Sequence, residues 1–452
     1  MAQPSESVHG MWSSRFMFIL AAAGSAVGLG NIWRFPYLAG ESGGGVFVLV
    51  YLGCIFLIGI PIMCAEIMLG RAGRQSPINT METLTSESNA SRGWTVIGWM
   101  GALAGFMILS FYAVIAGWSM SYIGQTATGT FTGADGEVAN AAFAALTGDV
   151  WTVVMWHSIF MAITIFIAAR GVGEGLETAV KYLMPALFVL LVTLVGYSAF
   201  FSGHFGEGLS FLFSPKLENF TFDSMLSAMG QAFFTLSLGM GAIMAYGAYL
   251  PREASIVGTA TTIAILDTTV ALLAGLVVFP LVFANGLEPS AGPGLVFITL
   301  TVAFGQMTGG AIFGTIFFVL LTFAAITSAI SLVEPATAWI VEKLEVSRRT
   351  GAVIVGGLAW FVGLGSAFSL NIWSDVHFLG ERTFLDTMDY VSNNIMLPIG
   401  GVLIAVFAAW VLDRRFADEQ MADDLTWYPA WRFLTRFVAP AAVGFVFVMT
   451  FV

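Results

Sequence analysis

Two stretches of this chain carry residues that a membrane-crossing helix seldom places side by side. The first reads AAAGSAVGLGNIWRFP from Ala21 to Pro36, with Gly28 and Gly30 near its middle and Asn31 and Arg34 just beyond. The second reads GQAFFTLSLGMGAIMAY from Gly230 to Tyr246, with Gly239 and Gly241 in the matching place. A mid-helix glycine costs about 1 kcal/mol against alanine, so a Gly-x-Gly pair is where a helix unwinds most readily. Unwound backbone exposes carbonyl oxygens and amides, and inside a bilayer it survives only where protein or a cavity satisfies it. Close packing of a neighbouring helix against the glycines is the competing explanation; a matched pair with polar neighbours favours unwinding. Asp267 adds a carboxylate inside an apolar run. A charged aspartate at a helix centre costs about 2.5–3.5 kcal/mol, so such residues are normally paired or functional. The alternative is a protonated aspartate bonded to a neighbouring helix. Glu66 and Glu334 are further intramembrane acids, for which structural hydrogen bonding is favoured over ion or proton handling. Thr327 and Ser328 stand next to each other; alone, such a pair usually bonds back to carbonyls of its own helix.

Other chemistries find no support. Cys54 and Cys64 share one apolar run and read as buried small hydrophobes. His9, His157, His204 and His377 are scattered without metal-ligand spacing. There is no Ser-His-Asp order, no His-x-x-Glu-His and no phosphate loop, so no enzyme is indicated.

The elements that must position these residues are membrane helices. Of 452 residues 58% are hydrophobic and only 10% charged, and mean hydropathy is +0.86, against about 25% charged residues in soluble proteins. Net charge is −11, which argues against nucleic acid as a partner. Apolar runs and turn signals predict eleven spans, roughly 12–37, 44–70, 93–125, 151–169, 177–200, 224–250, 254–284, 309–341, 349–369, 384–412 and 428–451. The polar first eleven residues lack the layout of a cleaved signal, so the helix from Trp12 onward is expected to be retained. Segment 287–306, with Pro289 and Pro293, reads as a hairpin-like external loop. With the N-terminus inside, fourteen of the 17 Lys and Arg fall on the cytoplasmic side, leaving Arg34, Lys216 and Arg382 outside. The C-terminus then lies outside. Residues 1–452 form a single transmembrane domain: repeat one at about 12–200, repeat two at about 224–412 and an extra helix at about 428–451. Five spans per repeat is an odd number, so the second repeat is inverted. Interruptions at corresponding positions of two such halves are the strongest sequence pointer to a binding site at the membrane midplane.

GSAVGLGNIWRFP followed by GESGGG (Gly40 to Gly45), FFTLSLGMG in the sixth span and AITSAISLVEP (Ala325 to Pro335) in the eighth resemble the signature of the neurotransmitter:sodium symporter family. The resemblance runs over essentially the whole chain and is greatest to compact bacterial hydrophobic amino acid transporters. It implies an all-α membrane protein of LeuT-like fold, two inverted five-helix repeats plus an eleventh helix, with helices one and six unwound at mid-membrane. It implies a sodium-coupled symporter importing amino acids by alternating access, in a bacterial inner membrane, as monomer or homodimer. A transporter of another small carboxylate-bearing solute is the alternative.

Sodium is a hard cation that takes about five or six oxygens. For a first sodium site the resemblance implies the Ala26 carbonyl, Asn31, Thr235 and Asp267, where relatives often have asparagine. For a second it implies carbonyls of Gly24, Val27 and Ala324 with hydroxyls of Thr327 and Ser328. Chloride-dependent relatives carry a hydroxyl where this chain has Ala271, although Tyr51 and Gln231 remain; Asp267 would then supply the negative charge and make chloride dispensable. The substrate carboxylate would meet amides near Leu29 and Gly30 and the hydroxyl of Tyr112. The amine would meet carbonyls of Ala26, Phe234 and Thr235, with help from Ser237. Gly28 stands where monoamine carriers place an aspartate, which favours substrates bringing their own carboxylate. Ser25, Ile108, Phe234, Met240, Ser328 and Leu332 would line the side-chain pocket. Most are apolar, implying hydrophobic or aromatic substrates, although plain packing accounts for any one of them. Met240 replaces a phenylalanine of some relatives and adapts to several shapes. The resemblance also pairs Arg34 with Asp389 as an outer gate under a Phe234 lid. It places Trp12, Tyr249 and Glu342 in an inner closing cluster, where some relatives have arginine in place of His9.

Overall fold

Residues 11–289 and 294–449 are described by the computed structural model; His9 and Pro293 lie outside them. Among these residues eight unbroken helices are long and apolar enough to cross a membrane: Gly45–Gly73, Arg92–Ala127, Val150–Ala168, Val172–Phe201, Ile256–Ala284, Gly310–Leu344, Arg348–Phe368 and Phe384–Val411. They correspond to spans two to five and seven to ten. Two helices bent by 49°, Arg15–Ala26 and Gly30–Glu41, make up the first span. The sixth is likewise in two pieces, Phe222–Thr235 and Ala242–Gly247. A further helical run covers 428–449. Small polar residues start many of these helices, as N-cap preferences require. Ser14, Asp149, Ser255 and Ser347 accept hydrogen bonds from the amides of Met17, Thr152, Gly258 and Thr350.

The two breaks use different backbone solutions. In the first span Val27 leaves the helix in an extended conformation (φ −73°, ψ 102°), and the chain resumes as a π-helical turn over Gly30–Arg34. In the sixth, three residues turn left-handed: Ser237 (φ 55°), Gly239 (φ 76°) and Gly241 (φ 74°). The glycine pair marks two of them; Ser237 has no counterpart in the sequence signal. At Gly239 a Cβ would also stand 2.7 Å from the carbonyl oxygen of Leu397, so glycine is required there on two counts.

Burial separates core from periphery. The central windows of the third and eighth spans are 78% and 83% buried, against 28% and 33% for the fourth and fifth. Spans three and eight therefore form the inner wall facing both breaks, and spans four and five the outside. Within segment 287–306 the described residues include the short apolar helix Leu295–Gln306, whose Phe297 packs on Trp118 and Phe143 with ring centroids 5.6 and 5.9 Å apart. Cys54 and Cys64 are buried and free.

Candidate functional site

Asp267 is fully buried and is where the two breaks meet the seventh span. Asn31 Nδ2 donates to its Oδ1 at 2.8 Å and to its carbonyl oxygen at 3.1 Å. The Thr235 hydroxyl donates to Oδ1 and Oδ2 at 3.0 and 3.1 Å, and the Tyr51 hydroxyl to Oδ2 at 3.4 Å. Asn31 Oδ1 in turn accepts from the Gly28 amide at 2.9 Å, inside the break. Donors from three other spans thus explain how a carboxylate is tolerated here, and they gather the oxygens of Asn31, Thr235 and Asp267 into one buried cluster. Hard-cation chemistry asks for such a donor set. Ala26 is buried as well. Gln231 supports the same turn, donating to the Gly30 carbonyl at 2.6 Å.

A second oxygen cluster joins the first and eighth spans. The Ser328 hydroxyl lies 3.1, 3.4 and 3.5 Å from the carbonyl oxygens of Ser25, Val27 and Gly24. Thr327 bonds back to the Ala324 carbonyl at 3.0 Å. Of the adjacent pair, then, threonine does what such residues do in isolation, while serine reaches across to the unwound helix. A Cβ on Gly24 would stand 3.3 Å from Thr327 Cβ, so the helices approach closely at this point.

Between the clusters is a cavity of about 20 Å³ lined by Ser25, Ala26, Gly28, Gly30, Ile108, Tyr112, Phe234, Ser237, Met240, Ser328 and Leu332. Every expected pocket residue is brought together except Leu29 and Thr235, which stand just outside. That volume takes a water molecule and no more, so a larger ligand must move side chains apart. Above it the Leu29 amide donates to the Tyr112 hydroxyl at 3.2 Å. A Cβ on Gly28 would meet the Ser328 hydroxyl and stand 2.8 Å from the Tyr112 hydroxyl, and one on Gly30 would stand 2.9 Å from the Phe234 ring. A side chain at either position would have to push these groups aside. One wall is a hydroxyl network: Ser25 donates to Ser331 at 2.7 Å, and Ser237 donates to the Ser25 carbonyl at 3.1 Å.

The sequence matches the sodium:neurotransmitter symporter family over residues 9–142 and 141–452. The chain belongs to this family. It is 37% identical over 447 residues to the sodium-dependent transporter YhdH of Bacillus subtilis, covering 98% of each chain. To the sodium-dependent neutral amino acid transporter B(0)AT2 of Bos taurus it is 26% identical over 303 residues, 59% of this chain and 40% of that one. Its structure is similar to the crystal structure of MhsT in complex with L-phenylalanine, with a TM-score of 0.90 and 42% identity over 97% of this chain and 99% of MhsT. It is a sodium-dependent, multi-pass membrane transporter of LeuT-like fold, and the interrupted first and sixth spans are the opening helices of its two inverted repeats.

At one end of the symporter, beyond Phe234, lies a larger cavity of about 320 Å³ whose walls include Leu29, Arg34, Tyr112, Phe234 and Asp389. The Arg34 guanidinium sits over the Phe234 ring, 4.8 Å from its centroid. Arg34 and Asp389 face the same cavity, but the expected pair is not made: among the described residues no ion pair joins them within 4.0 Å. Asp389 Oδ1 instead accepts from Asn393 Nδ2 at 2.6 Å. At the other end Trp12 is buried against Tyr246 and Tyr249, with ring centroids 5.3 and 6.3 Å away, its indole donating to the Tyr246 carbonyl at 3.2 Å. The Tyr249 hydroxyl donates to Glu334 at 2.9 Å, and Glu334 forms a two-pronged ion pair with Arg348. Glu342 accepts from the Ser76 amide and Asn79 Nδ2, each at 2.7 Å, at the N-terminus of the helix Pro77–Glu87. Glu66 Oε1 accepts from the Gly239 amide at 2.7 Å, so this acid satisfies the unwound sixth span, as structural hydrogen bonding requires. Sequence reasoning passed over Ser331 and Asn393. Both sit one helical turn from a residue it named, Ser328 and Asp389, and that spacing was the available signal.

Proposed function

We propose that this symporter imports amino acids with hydrophobic or aromatic side chains, coupled to sodium and independent of chloride, by alternating access. The observation that carries the reading is the juxtaposition at one break of an anion-receiving pair and a cation-receiving cluster. The Leu29 amide and Tyr112 hydroxyl meet 3.2 Å apart, and the Asn31 side chain that bonds the Gly28 amide also bonds Asp267. A carboxylate inserted between amide and hydroxyl would gain charge-assisted hydrogen bonds and a helix N-terminus. It would also sit beside a sodium ion held by the Ala26 carbonyl, Asn31, Thr235 and Asp267. The second ion takes Gly24, Val27, Ala324, Thr327 and Ser328. The amine meets carbonyls of Ala26, Phe234 and Thr235 and the Ser237 hydroxyl. Ile108, Phe234, Met240 and Leu332 receive the side chain, parting to enlarge the cavity.

Two further facts support the substrate class. Position 28 is glycine and so supplies no acid to bind an amine lacking its own carboxylate, and MhsT was crystallised with L-phenylalanine. Asp267 carries the negative charge that chloride supplies elsewhere, and Ala271 offers no hydroxyl. The segregation of cationic residues supports an inner-membrane orientation with the N-terminus cytoplasmic and the C-terminus outside, so that uptake runs inward.

Thermal unfolding of the purified protein tests this. Leucine, methionine, tryptophan and tyrosine are each offered in sodium chloride, sodium gluconate and choline chloride. Stabilisation by at least one amino acid in both sodium salts, and by none in choline, is expected. Equal stabilisation in choline overturns the sodium coupling, and loss in gluconate overturns chloride independence. Stabilisation by carboxylic acids that lack an amine, with no response to amino acids, moves the substrate to another carboxylate-bearing solute.

A further inference from the structure

The polar atoms around Asp389 are arranged in a way that a simple two-residue gate does not require. Its carboxylate bonds Asn393, which is 5% exposed and one turn along the same span. That turn is π-helical, over Tyr390–Met396. Pro398, which has no N–H to offer the carbonyl of Asn394, lies just beyond it. The other amide atom, Asn393 Oδ1, and Arg34 Nη1 are both buried without a hydrogen-bond partner. Arg34, Asn393, Asn394 and Pro398 line a cavity of about 180 Å³ behind the gate, separate from the vestibule that Arg34 and Asp389 share. That volume holds several waters, enough to solvate both orphaned atoms while the gate residues stand apart.

We propose that Asn393 is a positioning residue that latches the outer gate open: it holds Asp389 away from Arg34, and closing exchanges this amide for the guanidinium. The proposal rests on the transport reading above, with Arg34 and Asp389 as the gate. The sequence of contacts runs from the pocket outward. Phe234 packs against Gly30, with 2.9 Å between its ring and a Cβ built there, and Arg34 rests on the same ring. A substrate that displaces Phe234 therefore displaces Arg34. An arginine–carboxylate pair is stronger than an amide–carboxylate hydrogen bond, so the freed guanidinium takes Asp389, and the Asn393 amide turns to the water of the rear cavity. With the latch in place, gate closure waits on an occupied pocket.

Cysteine labelling tests the latch. With Cys54 and Cys64 replaced by alanine, a single Thr147→Cys on the vestibule wall reports access to an impermeant maleimide in choline, in sodium, and in sodium plus leucine. The parent is expected to label fast in sodium and slowly once leucine is added. Losing a hydrogen bond to a charged group shifts such an equilibrium about tenfold. Asn393→Ala should therefore label about tenfold more slowly in sodium alone and need about tenfold less leucine for half-protection. Asn393→Ser, too short to reach the carboxylate, should do the same. In an Asp389→Asn background the Asn393→Ala effect should vanish. Unchanged labelling in both Asn393 variants overturns the latch while leaving the transport reading standing, as does an effect that persists in Asp389→Asn. A parent that never responds to sodium and leucine overturns the gate assignment, and the latch with it.

Discussion

Asp267 concentrates the electrostatic problem of the site in one residue. A carboxylate beside a buried sodium ion offsets the ion's desolvation cost more strongly than neutral oxygens do. Asn31, Thr235 and Tyr51 already orient the carboxylate, so replacing it by an amide keeps the shape and removes the charge. Asp267→Asn is expected to raise the sodium concentration for half-maximal uptake at least tenfold in gluconate, equivalent to about 1.4 kcal/mol. Adding Ala271→Ser should restore part of that loss in chloride and none of it in gluconate. Sodium titrations of uptake in the two anions check this, and equal chloride-free uptake by Asp267→Asn and the parent would remove Asp267 as the countercharge. A second prediction concerns Gly28, where a Cβ would crowd the hydroxyls of Ser328 and Tyr112. Gly28→Asp should abolish stabilisation by amino acids, because its side chain must evict the Tyr112 hydroxyl from the Leu29 amide. Survival of that stabilisation would show that the clamp lies elsewhere. At this scale the sequence was legible where chemistry is carried by residue type. Asp267, Asn31 and the glycines stand out against apolar surroundings. Ser331 and Asn393 did not, since a serine or an asparagine in a helix has many possible partners and only the packing selects Ser25 and Asp389.

Among elements, the sixth span shows how a break is held open. Its left-handed residues cannot hydrogen-bond as a helix, and one of the freed amides, that of Gly239, is taken by Glu66 from the second span. Gly239 also abuts the Leu397 carbonyl, which fixes the tenth span against the break. Gly239→Ala combines a left-handed alanine, about 1 kcal/mol or more, with an overlap that backbone cannot relieve. It should lower the thermal unfolding midpoint by several degrees and reduce uptake. Glu66→Gln keeps an acceptor for the amide but removes its charge, so a smaller decrease is expected. Circular dichroism melts of both variants in one detergent decide the order; Glu66→Gln falling further than Gly239→Ala would mean that the acid does more than satisfy the turn. The sequence announced this element through paired glycines, because only glycine takes positive φ without strain. It did not announce that Ser237 also turns left-handed, at φ 55°. Nor did it announce the short helix Leu295–Gln306: prolines and glycines signalled interruption, and the helix forms because Phe297 has an aromatic surface to cover. The long uninterrupted spans were the most legible part, since twenty apolar residues in a bilayer have few alternatives to a helix.

For the whole molecule the two oxygen clusters set what the transporter can accomplish. Each sodium moving inward gains about 2.3 kcal/mol from 100 mV and about 1.4 kcal/mol from a tenfold gradient. With a zwitterionic substrate two ions supply roughly 7 kcal/mol, enough for accumulation of roughly 10⁵-fold, whereas one ion supports only roughly 500-fold. The clusters share the first span but take their side-chain oxygens from different partners: Asn31 and Thr235 meet Asp267 of the seventh span, whereas Ser328 of the eighth meets only backbone carbonyls of the first. One can therefore be disabled while the substrate clamp at Leu29 and Tyr112 stays intact. Thr327→Ala with Ser328→Ala removes the side-chain oxygens of the second cluster and leaves Asn31, Thr235 and Asp267 untouched. In proteoliposomes held at −100 mV with a tenfold sodium gradient, the parent should approach the higher accumulation limit and carry two charges per substrate. The double variant, if it still moves substrate, should carry one charge and stop near the lower limit. Measuring charge and labelled leucine together separates the outcomes, because a variant that is merely slow reaches the parent's ratio late, while one that has lost an ion never reaches it. A parent that carries one charge per leucine would show that only one cluster holds a transported ion, and the Ser328 cluster would then be a helix contact.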